Sequence, residues 1–491
     1  MLQQDEAAPV VELPQGAVRG ARHRDGVVYR ALPYAAPPVG ALRFRPPEPP
    51  SSWSGVREAT RTGPTAPQAV PQGEIGRLLG NPVDPGDDHL HLDVWAPEQA
   101  SAAPVVVFVH GGAFVTGSNA VGGYTGGSFA RDGIVYVGIN YRLGADGFLW
   151  LGEGTPNLGL LDQVAALRWV RDHIALFGGD PGNVTVMGES AGAMSIGALL
   201  AMPAARGLFG RAILQSGAGH HTLTPESAHR VGTRLAALLG VPATREAIAG
   251  IEPARVVAAQ MRLAAELVRR PFRRGWAEIV ANLMPFEPVV DGEVLPRSPI
   301  DAARAGSTAP VDLLIGHNLE EARLFLSGFA ENGLRTRLAA RLMARRYRLG
   351  AGLRGYPRTG SDLDLLCDVL TDAVYRIPAL RLAETHGRSH LYRFGWRSPA
   401  WDGRLGAAHA VELPFVFDSL DHPDWHGLLG DERPRELARE MHAAWVSFIR
   451  SGDPGWPAYE TEHRREREFA GAGRVVTDAD RARRIAWDGR R

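Results

Sequence analysis

Lysine is missing altogether. All 54 basic residues are arginine, and 54 acidic residues balance them to a formal charge of zero. A phosphate-cradling loop of the Gly-Lys-Ser/Thr type is thereby excluded. No surplus charge draws the chain to nucleic acid or to an anionic membrane. Local groups such as Arg273 with Arg274 and Arg464 with Arg465 read as solvated faces. Cysteine occurs once, at Cys367. No disulfide can close within the chain, which suits a reducing compartment, the cytoplasm. Cys367 reads as a small buried residue in a helix. No apolar run approaches the roughly 18–20 residues of a membrane span. The first residues, Met1 to Glu6, are acidic and carry neither the basic nor the apolar segment of a secretory leader. Internal repeats and low-complexity linkers are absent as well.

What is present is a chain of 491 residues with 45% apolar content, enough for a large buried core. Val105 to Val109 and Ile134 to Ile139 are continuously apolar and β-branched, as strands buried on both faces are. His89 to Trp95 alternates polar and apolar, the pattern of a half-buried strand. Further strands are expected at Val27–Tyr29, Val184–Met187, Ile213–Leu214, Val311–Gly316, Ser389–Phe394 and Arg474–Val476, and a hairpin at Pro288–Gly292. Leu160 to Phe177 has helical spacing, and Arg435 to Ile449 is an amphipathic helix that Ser451-Gly452-Asp453-Pro454 stops. Strands alternating with helices predict an α/β fold, a mostly parallel sheet covered on both faces. Residues 218–282 and 320–386 read as helical, the first as a cap over the sheet.

The run Val184-Thr185-Val186-Met187 ends in Gly188-Glu189-Ser190-Ala191-Gly192, followed by an Ala-rich stretch. A G-x-S-x-G turn between strand and helix lifts a serine clear of the sheet, with glycines where side chains would collide with backbone. A serine nucleophile needs a base, and the base needs an orienting acid, in the chain order Ser, acid, His. The strand Val311–Gly316 runs into Glu320 and Glu321, both candidate acids. His409, in the loop after Ser389–Phe394, is the base. Oxyanion donors come from the N–H of Ala191 and from the glycine-rich loop His110-Gly111-Gly112-Ala113-Phe114.

Other residues read more plainly. His89 and His91 share a strand face and read as solvated rather than as metal ligands. His220 and His221 follow Gln215-Ser216-Gly217 and are candidates for the site mouth. Phe114, Phe286, Phe329, Phe415 and Trp150 are candidates for an apolar acyl or alcohol pocket, or for core packing.

These motifs, in this order, resemble the type-B carboxylesterase family of α/β-hydrolases, which includes cholinesterases and bacterial p-nitrobenzyl esterases. The resemblance rests on Pro37-Pro38-Val39-Gly40, Leu42-Arg43-Phe44, Leu92-Asp93-Val94-Trp95, His110 to Phe114, Asn140 to Gly144, Asn157 to Gln163, Phe177 to Pro181 and Gly188 to Gly192. It implies one α/β-hydrolase domain over 1–491, with helical insertions over an active-site gorge. It implies a serine carboxylic-ester hydrolase working on small to medium, largely apolar esters through a Ser190–His409–Glu321 triad and an acyl-enzyme. Glu321 is chosen over Glu320 because it fills the family's acid position, in a Gly-x-Asn-x-Asp/Glu-Glu-Gly motif. The oxyanion donors become the N–H groups of Gly112, Ala113 and Ala191. Ser216 matches a serine that hydrogen-bonds the acid in relatives, and Glu189 adjoins the nucleophile. Ion pairs are implied between Arg43 and Asp87 and between Arg142 and Asp162. No metal or organic cofactor is implied, and the partner is a small-molecule ester; a monomer and a homodimer are equally open. The family's disulfide positions hold Ala66 and His89, and Ala322 and Ala410 replace glycines. The alternatives are an amide or carbamate hydrolase or acyltransferase with the same triad, and a non-catalytic scaffold.

Overall fold

A computed structural model describes residues 9–270, 273–282, 284–308, 310–357 and 360–490. The acidic start, Met1 to Glu6, lies outside them. A small sheet joins β1 (Val10–Leu13), β2 (Gly16–Arg19) and β5 (Val56–Glu58). The main sheet holds β3 (Ala21–His23), β4 (Gly26–Pro33), β6 (His91–Ala96), β7 (Ala103–Val109), β8 (Val135–Ile139), β9 (Gly179–Glu189), β10 (Arg211–Gln215), β11 (Asp312–Asn318), β12 (Ser389–Phe394), β13 (Arg465–Phe469) and β14 (Arg474–Thr477). Their order is β14-β13-β12-β11-β10-β9-β7-β8-β6-β4-β3. Strands β8, β7, β9, β10, β11, β12 and β13 run parallel, and antiparallel pairs close both edges. This is the α/β-hydrolase architecture of a large mixed sheet flanked by helices.

Alternation along the central strands feeds two cores. Val105, Val107 and Val109 of β7 enter one, and Val106 and Phe108 enter the other. Helices Leu158–His173 and Ala191–Ala201 cover the first face, and Arg435–Ser451 covers the second. Burial on both faces is why these strands read as unbroken apolar runs. Residues 218–282 carry the helices Pro225–Leu239, Arg245–Ala249, Pro253–Arg269 and Ala277–Asn282.

Several expectations are corrected. Pro288 to Gly292 forms no hairpin; Val289 instead bridges Leu223 in parallel. The β6 strand is buried throughout rather than half-solvated. His89 and His91 hydrogen-bond the carbonyls of Gly86 (2.8 Å) and Pro64 (2.9 Å), so they tether a loop rather than meet water. Asp93 on the same strand accepts from Arg30 at 3.0 Å and from the Ala31 N–H at 2.9 Å. Arg464 is half-buried against Glu384 and the Tyr459 hydroxyl. Arg43 pairs with Asp146 at 2.9 Å, not with Asp87, which is exposed. Arg142 and Asp162 do meet, fully buried and bidentate at 2.7 and 2.8 Å. Cys367 is buried in the helix Asp362–Thr371, and burial pushes its thiol up to about 12.

The C-terminal segment reaches back into the interior. Trp487 is fully buried, and its Nε1–H donates to the Tyr356 hydroxyl at 2.7 Å. That hydroxyl donates to Asp372 at 2.6 Å. Asp372 opens a single π-helical turn, Asp372–Arg376, between the helices Asp362–Thr371 and Ile377–His386. Arg376 is buried against Asp372 and Asp480.

Candidate active site

Ser190 stands between β9 and the helix Ala191–Ala201 with φ 56° and ψ −124°, a conformation no regular element offers. The strain is held by packing and hydrogen bonds. Ser190 N–H donates to Gln215 O at 2.9 Å, and Met194 N–H returns to Ser190 O at 2.9 Å. Glycine is required beneath the turn: a Cβ on Gly192 would lie 2.0 Å from the Val109 carbonyl oxygen. The loop His110–Phe114 packs on the same turn, since a Cβ on Gly111 would reach within 3.1 Å of Ser190 Cβ. Ala113 and Phe114 hold φ of 54° and 61°, and Gly112 holds 108°. The N–H groups of Gly112, Ala113 and Ala191 meet no protein acceptor among the described residues. Tyr141 fixes the start of the loop: its hydroxyl donates to His110 O at 2.9 Å, and its ring stacks on His110 with centroids 4.6 Å apart.

His409 lies between two carboxylates. Its Nδ1 is 2.7 Å from Glu321 Oε2, and its Nε2 is 3.0 Å from Glu189 Oε1, the latter outside ordinary hydrogen-bond angles. All three side chains are buried. Burial works against a charged imidazole. The nearby carboxylate of Glu189, then Tyr375 and the bond to Glu321, outweigh it and raise the His409 proton affinity well above the ordinary histidine range. The ring packs against Phe325 (centroids 5.4 Å) and Tyr375 (5.0 Å). Tyr375 comes from the π-helical turn.

Glu321 is placed by Asn318, whose N–H donates to Glu321 Oε1 at 2.8 Å. The Asn318 side chain donates to Ala408 O at 2.7 Å and to Glu412 Oε2 at 2.5 Å, joining the acid strand to the histidine loop. Glu412 also accepts from Gln215 Nε2 at 3.3 Å. Burial first, then the charges of Glu189 and Glu321, push the Glu412 carboxyl up to about 8, so it is neutral at pH 7. Asn318, Glu412, Phe325 and Tyr375 were not singled out from the sequence. Asn318 stands inside the quoted acid motif and Glu412 three residues after His409, so a signal existed for those two.

Other expected residues fall elsewhere. Glu320 turns outward to Arg323 (2.7 Å), Arg397 and the Ala407 N–H (3.0 Å). Ser216 Oγ is buried without a hydrogen-bond partner and does not bond the acid. Phe415 belongs to the core on the opposite face, against Phe394 and Trp396. Phe329 packs in a satellite cluster under the Arg335 guanidinium. Phe114 is fully buried against Phe148, and Phe286 is buried in the first core, which Trp150 packs against. His221 is buried and His220 half-buried on the segment leaving β10.

His317, Glu466 and Asp480 are the one grouping of three metal-type side chains among the described residues, with donor atoms within 4.8 Å of one another. Arg393 and Arg376 reach Asp480 at 3.0 and 3.3 Å. Two guanidiniums supply the positive charge there, so the grouping fits an internal ion cluster better than a divalent cation.

The family model described as the carboxylesterase family matches residues 7–349. The para-nitrobenzyl esterase of Bacillus subtilis (strain 168) is 37% identical over 480 residues, covering 93% of each chain. The phenmedipham hydrolase of Pseudarthrobacter oxydans is 35% identical over 488 residues, covering 92% of this chain and 93% of its own. A solved PNB esterase structure superposes with a TM-score of 0.85 at 32% identity, over 98% of this chain and 99% of the other. The carboxylesterase EST55 of Geobacillus stearothermophilus does so with 0.82 at 36% identity, over 97% and 99%.

Proposed function

The chain belongs to the carboxylesterase family and is a serine ester hydrolase, and from that premise we propose that Ser190, His409 and Glu321 carry its chemistry. The observation that carries the reading is the buried 2.7 Å contact between Glu321 and His409 Nδ1, taken with Ser190 on its strained turn beside Glu189, the residue that His409 Nε2 approaches. Neutral His409 accepts the Ser190 hydroxyl proton at Nε2 as Oγ adds to the ester carbonyl. The oxyanion gathers the N–H groups of Gly112, Ala113 and Ala191. Glu321 keeps the proton on Nδ1 and, with Glu189, steadies the imidazolium. His409 then protonates the leaving alcohol, and water repeats the cycle on the acyl-serine.

We read the whole chain as one catalytic domain, with 218–282 and 320–386 as its helical cap. Its substrates are small to medium, largely apolar esters, a choice supported by Phe325 and Tyr375 against the imidazole. The arginine-only basic composition and the single buried thiol support a bacterial cytoplasmic setting. Among the described residues no helix is long and apolar enough to cross a membrane.

The test is Ser190→Ala. Turnover of p-nitrophenyl esters is expected to fall by about a thousandfold or more, with circular dichroism and the melting temperature unchanged. Turnover within tenfold of the parent overturns the assignment.

A further inference from the structure

The zero net charge conceals one strongly biased segment. From Asn332 to Ser361 there are eight arginines and no acidic residue. The helix Leu334–Arg346 opens this segment. Its inner face, Thr336, Ala340 and Ala344, is buried. Ala340 joins Ala322, Leu326, Leu363, Leu366 and Cys367 in one cluster. Its outer face is a row of leucines one turn apart. Leu334, Leu338 and Leu342 are 73%, 54% and 36% exposed. Arg335, Arg341 and Arg345 stand exposed beside them. Arg337 and Arg346 are engaged elsewhere, with Asp362 and the Ala277 carbonyl. A helix buried on one side and apolar between cations on the other has two packing faces, and only one is filled.

We propose that this outer face docks on an anionic lipid surface. The leucine row enters the apolar boundary, and the flanking guanidiniums meet headgroup phosphates. Thirteen residues make a helix of roughly 20 Å, shorter than the ~30 Å of a hydrocarbon core, so it lies in the plane of the surface. Charge decides against a second copy of the chain as the occupant. A two-fold pairing of this face would set guanidiniums against guanidiniums, and the helix carries no carboxylate to neutralise them. The docked face backs onto the turn Glu321–Leu326, whose Phe325 is 46% exposed and touches the His409 ring. Docking therefore brings lipid-dissolved esters beside the site. That consequence rests on the proposed function; the binding does not.

The test is sedimentation of the full-length protein with vesicles of phosphatidylcholine alone or with added phosphatidylglycerol. Binding is expected only to the anionic vesicles, and it weakens as salt is raised. Two double variants, Leu338→Ser with Leu342→Ser and Arg341→Gln with Arg345→Gln, should each lower partitioning about tenfold or more. Both should turn over water-soluble p-nitrophenyl acetate as the parent does. A parent that stays in the supernatant overturns the proposal, as do variants that bind like the parent. A dimer in light scattering that Leu338→Ser dissociates, without vesicle binding, also overturns it and assigns the face to a second copy. Vesicle binding by a protein inactive on esters would spare this inference while removing the functional one.

Discussion

His409 has a carboxylate at each ring nitrogen, and the two carboxylates pull in different directions for catalysis. Glu321 on Nδ1 orients the ring, whereas Glu189 near Nε2 holds a proton where a base must be empty. Raised proton affinity means that the reactive, neutral form gains ground only as pH climbs. Glu189→Gln removes the larger of the attractive charges. The acid limb of kcat/KM should then move to lower pH by about one pH unit or more, read from a pH–rate profile. An unmoved limb would show that Glu189 does not set this proton affinity. The proposed triad, Ser190, Glu321 and His409, was read from the family motifs that mark its positions, and the structure brings Glu321 and His409 into contact. Ser216 was misread because a resemblance transfers an identity at a position, not a rotamer. Its φ of 52° and orphan hydroxyl appear only in three dimensions.

Among the elements, the strand–turn–helix of residues 179–201 does most to fix the site. Its strand and helix were legible from β-branched and alanine-rich runs, and its glycines from the crowding that a tight reversal imposes. Gly192→Ala would push a methyl into the Val109 carbonyl. A loss of about 1–3 kcal/mol is expected, measured by urea unfolding, together with esterase activity lost out of proportion to stability. Parental activity would mean that the turn has more room than its geometry allows. The π-helical turn was not legible. Residues 362–386 carry helical signals throughout, and one extra residue per turn leaves no mark on an apolar period. That insertion aims Tyr375 at His409. The β6 strand failed for a related reason. Its polar residues alternate as on a solvated face, but long-range partners, Pro64 for His91 and Arg30 for Asp93, cover them.

Over the whole molecule, the mostly parallel sheet and its two-sided core followed from the pattern of apolar strands, while the strand order and the wiring between distant segments did not. Stability carries a signature of that wiring. Glu412 is neutral when buried, up to about pH 8, whereas an unfolded glutamate ionises near 4.5. Folding therefore gains from this group most fully below that lower value, and the gain is lost as pH rises to about 8. Glu412→Gln should flatten the decline of melting temperature over that interval; a decline as steep as the parent's would assign it to other groups. The bond from Trp487 to Tyr356, and on to Asp372, has a consequence in time rather than in energy. The turn that aims Tyr375 at the histidine is braced by a residue 78 positions after His409 (487 − 409). During synthesis, Ser190, Glu321 and His409 all leave the ribosome before that brace exists. Until Trp487 is translated, a nascent chain holds all three proposed reacting groups without the hydrogen bonds that brace this turn.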